Sequence, residues 1–160
     1  MARQYSMPYQ FPPVCLLPPA ADAGGRTSTF RDLANALKAW IVVHVNQGNA
    51  APVTLSILQG QDVLGTGSTA AGVMPIWLTA ATATSDTLAV QTPAASFTTS
   101  AALADKIVIF EITPEMCLNV TGGFHTIAIE TSASNAANIT EAELFMIGSY
   151  QGGSEPSSYV

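Results

Sequence analysis

The feature that most constrains this chain is a series of short apolar runs, rich in Val, Ile and Thr, separated by clusters of Gly, Asn, Ser and Pro. Runs of this length are typical of β-strands, and the clusters between them are typical of turns. After residue 38 the runs cover residues 39–46, 53–59, 73–78, 87–91, 106–112, 124–130 and 139–147. Their spacing predicts an all-β fold, an antiparallel β-sandwich of the jelly-roll or immunoglobulin-like (Ig-like) kind.

Local residue choices refine this prediction. Pro75 has no amide hydrogen to donate, so its run should form an edge strand or contain a bulge. Residues 107–110 are apolar at every position, which predicts a strand that crosses the centre of the sandwich or lies against another subunit. Residues 32–37 could form one helical turn or enter a strand. Further strands are expected before residue 38 and near residues 96–99.

The first 25 residues differ from the rest, because they hold half of the ten prolines and end in two glycines. Proline lacks a backbone donor and restricts the residue before it, so we predict an extended arm at 1–25. The sandwich is then predicted at 26–151 and a flexible tail at 152–160. Apolar side chains in the arm predict packing on a neighbouring subunit or on the arm's own domain. The predicted interface residues are Tyr5, Tyr9, Phe11, Leu16 and Leu17.

Charged residues make up only 10% of the chain, whereas roughly a quarter is usual for soluble domains. A surface so poor in charge favours a subunit that is partly covered by neighbours, and a homo-oligomer is expected. The formal net charge of −6 leaves no basic stripe for nucleic acid. We predict neither direct nucleic-acid binding nor membrane contact. Cys15 and Cys117 are expected to be free thiols in a protein made in a reducing cytoplasm.

Few residues suggest chemistry, and we predict no catalytic residue, no metal and no cofactor. His44 and His125 have no further His or Cys at ligand spacing, so we interpret both as ordinary packed or surface side chains. Glu141 and Glu143 share one strand face and could pair around a divalent ion, although solvated outer-face positions explain them better. Asp62 precedes two glycines but lacks the other ligands of a calcium loop.

Two further motifs have competing explanations. Residues 65–68, Gly-Thr-Gly-Ser, resemble part of a phosphate loop, but no Lys follows, so a hairpin turn is the simpler explanation. Trp40 and Trp77 could form an aromatic platform for a sugar, and the alternative is that both belong to the core.

Three long segments carry a family resemblance. They are VVHVNQGNAAPVTLSILQGQDVLGTGS, PIWLTAATATSDTLAVQT and KIVIFEITPEMCLNVTGGFHTIAIETSASNAANIT, and they lie between residues 38 and 140. In this region the chain resembles a group of small structural proteins of tailed bacteriophages. The shared pattern is a strand followed by QGNAA, a Gly-Thr-Gly turn, a TATSDTL loop, and a GGF turn that leads to SNAANIT.

The resemblance implies a β-sandwich virion protein that is assembled in the host cytoplasm. The leading hypothesis is a capsid cement or decoration protein whose partners are the major capsid protein and further copies of itself. A head-to-tail connector, collar or fibre-base protein is an alternative within the structural class. An adsorption module that binds host glycans through Trp40 or Trp77 is an alternative of another class.

Overall fold

Twelve strands, one short helix and one 3-10 turn make up residues 11–148, the part of the chain that the computed structural model describes. The strands are β1 (Val14–Ala21), β2 (Arg26–Thr27), β3 (Arg31–Asp32), β4 (Ala36–Gln47), β5 (Thr54–Gly60), β6 (Thr69–Ala70), β7 (Met74–Thr79), β8 (Ala89–Ala94), β9 (Ser96–Thr98), β10 (Asp105–Ile112), β11 (Thr126–Thr131) and β12 (Asn138–Gly148). The helix is α1 (Pro114–Cys117), and the 3-10 turn covers Val120–Gly122.

The strands form two antiparallel sheets, which confirms the predicted all-β sandwich. The large sheet has the order β1-β12-β4-β10-β7-β8. The small sheet has the order β2-β11-β5-β6, with β3 also paired to β11 and β9 also paired to β5. All seven runs predicted after residue 38 are strands of these sheets, and β9 confirms the additional strand expected near residues 96–99.

The local predictions have mixed outcomes. The β7–β8 register shifts between Met74 and Ile76, so Pro75 lies at the expected bulge, although β8 covers β7 and keeps it from the sheet edge. Strand β10 lies between β4 and β7, as its apolar composition predicted. Residues 32–37 contain no helical turn. Instead β3 is followed by a tight turn, in which Ala36 N donates to Leu33 O, and then by β4.

The core lies between the two sheets and follows the alternation of each strand. On β4 the inward side chains of Ile41 and Val43 are completely buried, while their neighbours face outwards. From the small sheet, Leu55, Ile57 and Ile129 contribute to the same cluster. Each such aliphatic side chain contributes about 1.5–3 kcal/mol when it is fully buried, so this layer is the main source of stability.

The prediction of an arm over residues 1–25 needs correction, because residues 14–21 form strand β1 at the edge of the large sheet. Leu16 and Leu17 are each only 5% exposed and belong to this domain's own core, so the predicted intersubunit role for them is wrong. Prolines are tolerated here because an edge strand needs only one hydrogen-bonded neighbour, and the register with β12 shifts between Leu17 and Ala20.

The boundary predicted at residue 26 therefore moves to residue 14 or earlier. Phe11 is half-buried, just ahead of β1. Tyr5, Tyr9 and the predicted tail at 152–160 lie outside the described residues.

A buried polar network ties β1 to the rest of the sandwich. Asp22 directly follows β1 and is fully buried, and its carboxylate accepts hydrogen bonds from the hydroxyls of Thr131 and Thr140. Arg26 Nε lies 3.3 Å from the same carboxylate, and Arg26 Nη2 donates to the carbonyl of Thr140 over 2.6 Å. Because Thr131 belongs to the small sheet and Thr140 to the large one, this network joins the two layers.

Candidate functional site

The outward side of the large sheet is unusually apolar. Over residues 38–42 of β4 and 107–111 of β10, the side chains that alternate with core residues are half-buried, whereas His44, Asn46 and Asp105 at the other end of these strands are exposed. We call this surface the outer face and define it by seven apolar residues: Trp40, Val42, Trp77, Val90, Ile107, Ile109 and Phe145. Val90, on the edge strand β8, is 65% exposed.

Strand register brings these residues into continuous rows. One row crosses all six strands and consists of Cys15, Glu143, Val42, Ile109, Trp77 and Val90. Residues directly opposite each other in a sheet point to the same side, and neighbouring strands lie about 4.8 Å apart, so this row is roughly 24 Å long. A second row places Phe145 beside Trp40. The outer face is therefore a continuous apolar strip across β4, β10, β7 and β8, with Glu143 next to it on β12.

The small sheet shows the opposite character on its outward side. There Ser56 lies opposite Glu130 and Ser96, and Thr54 lies opposite Thr98. These hydroxyl side chains and the carboxylate are well solvated, whereas further along the same side Leu58 lies opposite Ala128, which is fully buried. The difference between the two sheets lies in their outward residues, since both bury aliphatic side chains between them.

A polar cluster stands near the centre of the outer face. Glu111 forms an ion pair with Lys38 through Oε1, and Trp77 Nε1 donates to Glu111 Oε2 over 3.2 Å. The Lys38 Nζ atom also lies 5.6 Å from the ring centroid of Trp40. The hydrogen bond from Lys38, with support from Trp77, holds the pKa of Glu111 below its usual value. Both carboxylate oxygens are thus used to position the two tryptophans and the lysine.

A groove of about 410 Å³ borders the outer face at the end of β4 and the beginning of β10. Its polar lining includes His44, Asn46, Asp105 and Glu141, and Pro19 and Ile139 contribute apolar surface to it. Glu141 lies directly opposite His44, and Asp105 directly opposite Asn46. Among the described residues, neither the Asp105 nor the Glu141 carboxylate forms a hydrogen bond or an ion pair. We call this the acidic groove.

Lys106 lies behind the acidic groove but points inwards. It is 2% exposed, and its ammonium donates to Gln47 Oε1 over 2.9 Å and to the carbonyls of Ala102 and Ala104. Burial lowers the pKa of Lys106, and the nearby charge of Asp105 opposes this in part. The ammonium fastens the loop before β10 to the end of β4, and it leaves the Asp105 carboxylate without a salt bridge.

The other candidate side chains, those of Asp62 and His125, lie in turns and contact backbone groups. The carboxylate of Asp62 accepts from the backbone N–H groups of Leu64 and Thr66 and from the Thr66 hydroxyl, so it shapes the turn that contains residues 65–68. These hydrogen bonds hold the pKa of Asp62 below its usual value. His125 Nδ1 lies 3.0 Å from the carbonyl of Gly123, in the turn before β11. Within residues 11–148, no group of three or more His, Cys, Asp or Glu side chains is placed to hold a metal ion.

The two cysteines are unpaired and differ in environment. Cys15 is exposed at the edge of the outer face, while Cys117 is buried in α1, where burial raises the pKa of its thiol. Trp40 and Trp77 both lie half-buried on the outer face rather than within the core. Glu141 and Glu143 share that face, as their spacing predicted. Sequence reasoning missed the outer face as a unit, although the apolar positions on both sides of β10 signalled part of it.

Comparisons with known proteins found no match to any family model, curated protein or solved structure. Among the helices of the described region, none is long and apolar enough to cross a membrane.

Proposed function

We propose that this protein is a structural subunit of a virus particle, a cement or decoration protein that binds and stabilises the head shell of a tailed bacteriophage. Its partners in this proposal are the major capsid protein and further copies of the chain. The single observation that carries the proposal is the apolar outer face on a rigid six-stranded sheet. The resemblance of residues 38–140 to structural proteins of tailed phages supports the same assignment.

An apolar face of this kind is unfavourable in water. Monomeric proteins rarely expose contiguous apolar patches beyond a few hundred Å², and larger ones mark surfaces that bind another molecule. Here the apolar part of the first row, from Val42 to Val90, crosses four of the six strands and ends at Glu143, and the charged fraction of the chain is only 10%. Burial against a partner would remove this area from water, and the polar outward side of the small sheet would remain solvated.

A subunit that binds in this way stabilises what it covers. Anything that binds the assembled shell better than its separated parts shifts the equilibrium towards the shell. The outer face is formed by paired strands, so little conformational entropy is lost when it docks. This work needs a stable surface of the right shape, and no bond is made or broken.

Quantitative mass spectrometry of purified particles tests the proposal. Particles of the virus that encodes this chain should contain it in a copy number comparable with that of the major shell protein. A dozen copies or fewer would instead favour the head-to-tail connector, collar or fibre-base alternative. Absence from particles would contradict both.

A glycan-binding adsorption module is the second candidate, and one observation favours it. Trp40 and Trp77 lie on one face beside the Glu111 carboxylate, and aromatic rings next to a hydrogen-bonding group can hold a sugar. Both oxygens of Glu111 are already engaged, which weakens this candidate. Binding on a glycan array that is lost in Trp77→Ala would support it, and the lack of binding at high protein concentration would reject it.

A further inference from the structure

The acidic groove and the outer face lie side by side, and their chemistry is complementary to one kind of partner. Ile107 belongs to the outer face and lies directly opposite His44, which lines the groove. Glu141 follows on the other side of His44. A single docked surface that covers Ile107 would therefore also reach the groove.

The charges on this side of the molecule exclude a second copy as the best occupant. Four carboxylates face outwards from the large sheet, namely those of Asp105, Glu111, Glu141 and Glu143. The one lysine among the outward residues of β4 and β10 is Lys38, and Glu111 already neutralises it. If two such faces paired, unpaired carboxylates would lie close to one another. This is unfavourable once water is excluded.

A partner that carries a positive charge beside an apolar surface would instead be complementary to both the groove and the outer face. The groove volume of about 410 Å³ leaves room for one long side chain. The Asp105 and Glu141 carboxylates are free to accept, because Lys106 directs its ammonium to Gln47 and to backbone carbonyls. Charge-assisted bonds of this kind set orientation and association rate at an interface.

We propose that the outer face docks a protein surface with an apolar centre and a lysine or arginine at its border, and that the acidic groove receives this basic side chain. The inference rests on the proposed function, since the partner is then a subunit of the shell. In this arrangement the large sheet faces the shell and the small sheet faces away from it. The shell subunit must then present an apolar centre with a basic side chain at its border.

The native thiol Cys15 allows a test that requires no substitution. Cys15 ends the row that runs through Glu143 and Val42, so a docked partner shields it. Intact particles and the free chain are treated with the same maleimide, and the labelled fraction of Cys15 is measured by peptide mass spectrometry. Labelling in particles is expected to be at least tenfold slower. Equal rates in particles and in the free chain would overturn the proposal.

A pair of matched variants tests the apolar part. Val90 and Ser96 are both exposed on the outward sides of edge strands, one in the large sheet and one in the small sheet. Val90→Lys should reduce the number of copies per particle about tenfold, a change that corresponds to about 1.4 kcal/mol. Ser96→Lys should leave it unchanged. Thermal unfolding of each purified variant verifies that both still fold, and equal copy numbers for the two would contradict the proposal.

A second pair of variants tests the role of the acidic groove. Glu141→Lys should reduce occupancy about tenfold, whereas Glu130→Lys, on the outward side of the small sheet, should not. Loss of occupancy with both variants would point to net charge alone and would overturn the assignment of the groove. Absence of the chain from particles would contradict the proposed function, whereas its presence with an unprotected Cys15 would contradict only this docking face.

Discussion

Trp77 donates its indole N–H to Glu111, with 3.2 Å between Nε1 and Oε2, and so links the outward residues of β7 and β10. Glu111 also binds Lys38 on β4, so one carboxylate connects three neighbouring strands. The cluster fixes the position of both tryptophans on an otherwise apolar surface. Protonation of Glu111 at low pH should therefore weaken this cluster.

Glu111→Gln should reduce stability at neutral pH and flatten its acid dependence. The folded-state pKa of Glu111 lies below its usual value of 4.5, mainly because of Lys38. Its contribution is therefore present above pH 4.5 and is lost as the pH falls through the lower, folded-state pKa. Because the carboxylate is partly exposed, the expected loss at pH 7 is about 0.5–1 kcal/mol. Urea unfolding at pH 7 and pH 3 measures it, and an unchanged pH slope in the variant would contradict this role.

Asp22→Ala should be strongly destabilising. The Asp22 carboxylate is fully buried and accepts from Thr131, Thr140 and Arg26, so its removal leaves buried donors without partners. Loss of one partner from a buried charged pair costs about 3–5 kcal/mol. The matched control is Asp86→Ala, at an exposed loop position, which should stay within about 0.5 kcal/mol of the parent. Chemical denaturation decides this, and similar midpoints for the two variants would refute the structural role of Asp22.

Lys106→Met should remove an alkaline component of the pH dependence. Burial lowers the pKa of folded Lys106 below its usual value of 10.5, so the unfolded chain holds more protons between the two values. In the parent protein this component makes stability rise as the pH increases towards 10.5. Cys117 acts in the opposite direction, since burial raises its pKa, so the informative quantity is the difference between variant and parent. Denaturant midpoints from pH 8 to 10.5 provide it, and parallel curves would show the expectation to be wrong.

The two thiols should react at very different rates in the free protein. Cys15 is exposed, whereas Cys117 is buried and its raised pKa disfavours the reactive thiolate. A disulfide reagent should therefore titrate one thiol rapidly in the native chain and both after denaturation. Cys15→Ser should abolish the rapid phase and leave the slow one. Two rapid thiols in the native chain would be inconsistent with the burial of Cys117.

The strands after residue 38 could be predicted because their signal is local. In β4 and β10, alternation and turn residues mark each element without reference to its neighbours. Strand β1 could not be predicted in the same way. Its prolines indicate an irregular segment, and what makes it a strand is its pairing with β12, for example Leu17 opposite Ala142, more than a hundred residues away along the chain.

The candidate surface was predictable only in part for a related reason. Periodicity shows that Trp40 and Val42 share a side, but it does not reveal whether that side faces the core or the exterior. The rows of the outer face exist only once the register joins β4 to β10, β7 and β8. Asp22 fell within the predicted arm, and its buried position could not be predicted because the two threonines that enclose it come from distant strands.

We propose that this chain is an abundant part of a phage shell. The decisive measurement is its amount relative to the major shell protein, by quantitative mass spectrometry of purified particles. A ratio close to a fixed stoichiometry across independent preparations is expected. Particles that are complete and infectious but contain none of this chain would contradict it.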